Sequence, residues 1–139
     1  MVHTKSGLLG ISETSADMEI LLLQEASDSR AKDAVDLFCY QVKKAIGGLA
    51  AALGGLDTLV FSGGMGEQAP KVRARICDGL QFLGLAINAE RNTAGQNILS
   101  TDTSRVMVRI IHTDESSTIA HDAGQLLTSA NKKVEHETI

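Results

Sequence analysis

Apolar residues along this chain follow two rhythms. Over residues 30–53 they recur at three- and four-residue steps. Val35, Phe38, Val42, Ile46, Leu49 and Leu53 form one stripe, which predicts a long amphipathic helix. Ser27-Asp28-Ser29 supplies a stop and a new N-cap ahead of it, and Gly54-Gly55 ends it. Gly47-Gly48 inside the helix costs roughly 1 kcal/mol each against alanine. Residues 13–29 read as partly helical around MEILLLQ. Residues 1–12, with Gly7 and Gly10 and no period, read as a loop.

The second rhythm is the short unbroken run. Residues 56–61, LDTLVF, predict a strand with both faces covered, and VMVRII at 106–111 predicts another. Between them Pro70 opens a helix whose buried face is Val72, Ile76, Leu80 and Leu83. Residues 85–89 allow a third strand, and 90–103 read as polar loop. Residues 116–130 predict a last helix burying Ile119, Ala123, Leu126 and Leu127, and 131–139 a charged tail. The order is α/β. Two secure strands are too few for a sheet core, so the pattern points to strands missing upstream.

Composition narrows the class. A chain of 139 residues, 43% hydrophobic, buries one modest core, and with 3% aromatics that core is Leu, Ile, Val and Ala. The net charge of −4, with both signs dispersed, argues against a nucleic-acid surface. Cys39 and Cys77 sit among apolar neighbours and read as buried free thiols in a reducing compartment. With no signal peptide and no membrane-length apolar run, the expectation is a soluble, cytoplasmic protein without a membrane partner.

The candidate chemistry lies at FSGGMGEQ, residues 61–68, between the first strand and the Pro70 helix. Strand, glycine-rich turn and helix start together make an anion site: backbone N–H groups point outward, and absent side chains let a phosphate approach. Gly63, Gly64 and Gly66 form the turn; a tight turn with no ligand explains them equally well. Glu67 repels phosphate unless it points away, caps the helix or faces a cation. The pattern GxxxxGK[ST] is absent. GMGEQA does satisfy G-x-G-x-x-A, with Glu90 near the distance of a ribose-binding acid, but helical sequence precedes it where a dinucleotide fold begins with its strand. Glu115 follows the second strand, where a helix dipole favours an acid and where a carboxylate also suits Mg²⁺ beside phosphates.

Three stretches read together resemble the C-terminal part of the acetate and propionate kinases: KSGLLGISETSADM (5–18), LDTLVFSGGMGEQAPKVRARI (56–76) and VRIIHTDESSTIAHDA (108–123), with NAERN (88–92) between the last two. The resemblance implies a partial ribonuclease-H-like domain of the actin/Hsp70/sugar-kinase (ASKHA) type. It implies one C-terminal, nucleotide-side domain fragment over 1–139, without the N-terminal domain that carries the acyl pocket and the phosphoryl-stabilising histidine and arginines. The family reaction is ATP plus acetate to ADP and acetyl phosphate, and this chain alone is expected to be incomplete for it. Carried over by position, Gly63, Gly64, Met65, Gly66, Glu67 and Gln68 form the nucleotide loop, Asp17 and Met18 line the adenosine pocket, and Glu115 holds Mg²⁺. The implied partners are an adenine nucleotide, a small carboxylate bound by the missing part, and a second copy in a homodimer. Glu19 stands where the family has Arg, Gln68 where it has Asn, and Ser116 where it has a second Glu. The alternatives are a remnant persisting as an interaction module and, less favoured, a dinucleotide-binding fragment.

The remaining polar residues have plainer readings. Thr113 and Asp114 read as helix caps, and His112, where the family has Pro, as structural. His3, His121 and His136 are too scattered for a metal cluster. Lys71, Arg73 and Arg75 read as a solvated flank of the Pro70 helix, and neither cysteine has a base beside it.

Overall fold

A computed structural model of the protein describes residues 6–114. The expected helix at 116–130, the tail and Glu115 lie outside these residues. In chain order the elements are α1 (Gly7–Ser12), α2 (Met18–Gln24), α3 (Ser29–Leu53), β1 (Thr58–Phe61), α4 (Gly63–Gln68), α5 (Pro70–Cys77), a single 3-10 turn at Gln81–Leu83, α6 (Ala89–Thr93) and β2 (Met107–Ile110).

The predicted caps of α3 are in place. Asp28 accepts from the Arg30 N–H at the start of α3, and Gly54 ends it with φ of 76°. Asp17 does the same for α2, taking the Glu19 N–H at 2.8 Å. It ends a ladder of short turns, in which buried Ser12 Oγ accepts from Thr14 and Ser15 N–H and Ser15 Oγ accepts from Asp17 N–H. That ladder is the physical content of ISETSAD: each hydroxyl or carboxylate closes a turn onto backbone two or three residues on.

β1 and β2 pair in parallel, with Leu59 beside Val108 and Phe61 beside Ile110. The connection between them runs through α4, α5 and α6. Phe61, Val108 and Ile110 face inward and meet Val35 and Cys39 of α3, Val72 and Ile76 of α5, and Leu85, Leu99 and Val106 from the connecting loops. α3 is the spine, packed against α1, α2 and α5. Glu25 binds this layer together through Arg75 at 2.7 Å, with Asp36 at 3.5 Å from the same guanidinium.

Five expectations need correction. Residues 7–12 are helical, not loop: Leu8 and Ile11 pack on the core, and six residues are too few to display a period. Residues 85–89 make isolated bridges, Leu85 with Val106 and Ile87 with Ser100, rather than a strand. The polar stretch 90–103 contains most of α6 and the fully buried Leu99. Among the described residues one strand face is well covered, while Val60 and Met107 on the other are partly exposed. On α3 the stripe runs out: Leu49 and Leu53 are 64% and 76% exposed, while Ala31, Ala34, Val35 and Cys39 fill the tight contact.

Candidate functional site

A cleft of about 720 Å³ opens between α2 and the α4–α5 corner. Asp17, Met18, Glu19, Leu22 and Leu23 form one side; Gly64, Met65, Gln68, Ala69, Pro70 and Lys71 form the other. Two stretches nearly fifty residues apart in sequence thus face one another. Of the predicted nucleotide residues, Asp17, Met18, Gly64, Met65 and Gln68 line this space; Gly63, Gly66 and Glu67 do not.

The glycine segment is a short helix, α4, rather than an open turn. Its three glycines answer to different demands. Gly63 has φ of 70°, a conformation that other residues rarely adopt. Gly66 packs on β1: a Cβ there meets the Phe61 carbonyl carbon at 3.3 Å. Gly64 has neither constraint, because its φ is not positive and an added Cβ meets nothing within 4 Å. Among the described residues nothing demands a glycine at 64, and it is the one of the three that lines the cleft.

Glu67 turns away from the cleft. Its Oε1 accepts from the Gly63 N–H, the Thr113 N–H and the Thr113 hydroxyl, each at 3.0 Å, and its Oε2 accepts from His112 Nδ1 at 2.7 Å. The carboxylate therefore caps its own helix and ties α4 to the chain leaving β2. These donors, the Thr113 N–H foremost and then His112, bring its pKa from 4.5 down to about 2. The contact is accordingly complete above about pH 4.5 and lost as pH falls toward 2. The amide resonances of Gly63 and Thr113 should titrate together with a midpoint near 2 in an acid NMR series; a midpoint near 4.5 contradicts the contact. His112 and Thr113 have structural tasks here, both bonding Glu67; the helix that Thr113 and Asp114 were expected to cap lies outside the described residues.

Arg73 overturns the solvated-flank reading. It is 1% exposed, and its guanidinium donates to the carbonyls of Gly66, Glu67 and Asn92 and to Asn92 Oδ1 at 2.7–2.9 Å. Among the described residues it has no ion-pair partner, and burial pulls its pKa down. The available signal was its spacing: Arg73 lies four residues before Cys77 on the buried side of α5. Lys71 is exposed at the rim of the cleft. Arg75 is half-buried against Glu25.

Cys39 and Cys77 are buried and free, and desolvation raises both thiols, Cys77 to about 12. Neither acts as a nucleophile at neutral pH. Among the described residues no three His, Cys, Asp or Glu side chains converge to hold a metal, and Glu115 lies outside them. No helix of the described residues is long and apolar enough to cross a membrane.

The Acetokinase family profile matches residues 1–121. The chain belongs to the acetokinase family. It is 45% identical over 127 residues to the acetate kinase of Solibacter usitatus, covering 88% of this chain and 31% of that protein. It is 41% identical over 130 residues to that of Coprothermobacter proteolyticus, covering 91% of this chain and 32% of the relative. The chain thus spans about a third of the length of these curated relatives. Among solved structures it superposes on Porphyromonas gingivalis acetate kinase with a TM-score of 0.78 and 35% identity, covering 88% of this chain and 32% of the other. Entamoeba histolytica acetate kinase gives 0.78 and 37%, covering 87% and 34%. The fold is therefore part of an ASKHA-type α/β domain. Among the described residues the sheet has two strands and one partly exposed face, as fits a part of such a domain. Glu90, the acid that a dinucleotide site requires, starts α6 and does not line the cleft.

Proposed function

We propose that this chain supplies the nucleotide side of a kinase that moves the γ-phosphoryl group of ATP to a small carboxylate such as acetate or propionate. The observation that carries this reading is Gly64, a glycine open to the cleft with no conformational or packing reason to be one. Adenosine would lie against the apolar wall of Met18, Leu22, Leu23, Met65 and Pro70, with its phosphates over the bare backbone at Gly64 and Lys71 offering positive charge at the rim. Catalysis of this kind is positioning and charge neutralisation rather than covalent chemistry. Mg²⁺ would arrive with the nucleotide, held by phosphate oxygens, water and Glu115. Glu67, with both carboxylate oxygens already accepting hydrogen bonds, is assigned no ligand role in this reading.

The acyl-binding part belongs to the two-thirds of the relatives that this chain does not cover, so we expect the 139 residues alone to bind MgADP without turnover. A homodimer is proposed through the exposed apolar end of α3, around Leu49 and Leu53. The test is calorimetric titration with MgADP of the chain and of Gly64→Asp. Adding a carboxylate where a Cβ meets nothing should leave the unfolding midpoint unchanged and weaken MgADP by about 2 kcal/mol or more, roughly 30-fold. No binding by the folded wild-type chain would favour the interaction-module reading instead. Glu19, an anion at the cleft wall where the family carries Arg, is the observation on that side.

A further inference from the structure

The segment NAERN, residues 88–92, does not line the cleft, and nucleotide binding as proposed needs none of its side chains. Its architecture nevertheless leads there. Asn88 caps α6 by accepting the Arg91 N–H, and Arg91 in turn holds the Ser100 carbonyl and Asp102. This fixes the short helix on the loop before β2 and buries Asn92 to 5% exposure. Asn92 Oδ1 takes the Nε–H of Arg73 at 2.8 Å, its carbonyl takes Nη2 at 2.7 Å, and its Nδ2 donates to the Pro70 carbonyl at 2.9 Å. One edge of the guanidinium is thereby fixed. The remaining nitrogen, Nη1, holds the Gly66 and Glu67 carbonyls at 2.9 and 2.8 Å.

α4 needs such support. Three of its six residues are glycine, Ser62 gives it no side-chain cap, and a helix this short does not persist by itself. Its amides can be aimed at a ligand only if the surroundings hold it. Glu67 does so at one end, and Arg73 at the other. We infer that Asn92 is a positioning residue for the nucleotide site, acting through Arg73 on the glycine helix. This rests on the nucleotide reading above. Asn92 touches no ligand; it sets the direction of the group that sets the helix.

Consequently the phosphates should feel its loss more than adenosine does. In calorimetric titrations of the full 139-residue chain with ADP and separately with adenosine, Asn92→Leu should weaken ADP by about tenfold or more. Adenosine binding should weaken less than ADP binding, since Met18, Leu22 and Leu23 of its wall stand on α2, apart from the strut, while Met65 and Pro70 are tied to it. Asn92→Asp keeps the Oδ1 acceptor for Arg73 but loses the donor to the Pro70 carbonyl, and should fall between wild type and Asn92→Leu for ADP. ADP and adenosine weakening in parallel in folded Asn92→Leu, or ADP affinity unchanged, would overturn the inference. Amide hydrogen exchange without nucleotide gives a separate readout. Amides in residues 64–69 should exchange faster in Asn92→Leu while those of β1 and β2 keep their protection. Unchanged exchange at 64–69 overturns the strut even if the wild-type chain binds no ADP, a result that would sink the nucleotide reading on its own.

Discussion

Replacing Arg73 by methionine should lower the stability of the fold by about 3–5 kcal/mol, among the larger effects a single substitution produces. The side chain is buried, and its four hydrogen bonds go to oxygens that stay behind when it is removed: the carbonyls of Gly66, Glu67 and Asn92, and Asn92 Oδ1. Each buried acceptor left without a donor costs about 1–3 kcal/mol. Rotation of Asn92 and entry of water relieve part of that, so the four do not add in full. Exchanging a buried ion pair for apolar groups is often neutral because both charges leave together. No such compensation exists here, since only the donor leaves. Lysine keeps the charge but concentrates its donors at one point, and cannot reach carbonyls on α4 and α6 together. Arg73→Lys should fall between wild type and Arg73→Met. The measurement is the urea midpoint at constant m-value, with Lys71→Ala, at the exposed rim, within about 0.5 kcal/mol as the control. If Arg73→Met stays within about 1 kcal/mol of wild type, the hydrogen bonds are not holding the loop. Domains have only about 5–15 kcal/mol in total, so the expected loss is a large share of it.

How legible all this is in the sequence depends on residue type. α3 is legible because its period repeats for 25 residues, and its ends because Asp28 and Gly54 have one common task each. Its true contact face is not. Ala31, Ala34 and Cys39 do the close packing, and small side chains contribute little to an apolar stripe that Leu49 and Leu53 dominate. Those leucines are mostly exposed. Periodicity locates a helix better than it locates the helix's neighbours.

Arg73 was hidden for the opposite reason. A charged residue beside Val72 reads as solvated unless something supplies carbonyl oxygens, and its oxygens come from α4 and from Asn92, nineteen residues away. Glu67 was awkward in sequence because three of its four donors are on Thr113 and His112, at the end of a strand that only the parallel pairing of β1 and β2 brings near. Local signals were reliable for the ends of α3 and for the two paired strands, but not for 85–89. The polar contacts that hold the site are long-range and were not legible; the resemblance marked NAERN and GGMGEQ without showing what their side chains touch.

The same distinction makes Gly66 the most sensitive position in the loop. Gly66→Val should weaken MgADP about 100-fold or more, on the order of 3 kcal/mol, and also cost about 1–3 kcal/mol of stability. A Cβ at 66 stands 3.3 Å from the Phe61 carbonyl carbon and 3.5 Å from its Cβ, before the two valine methyls are added. The neighbour cannot easily give way. Phe61 is the last residue of β1, paired with Ile110, and its carbonyl accepts the Ile111 N–H at 3.0 Å. With β1 pinned, α4 must move, and the backbone at Gly64 moves with it. Gly64→Asp should therefore lower affinity alone, whereas Gly66→Val should lower affinity and stability together. Equal stability losses in both variants would mean that Gly64 is also demanded by the fold. A Gly66→Val chain with wild-type midpoint and wild-type MgADP affinity would show that α4 can shift on β1 without consequence, and the case for a preset phosphate cradle would fail with it.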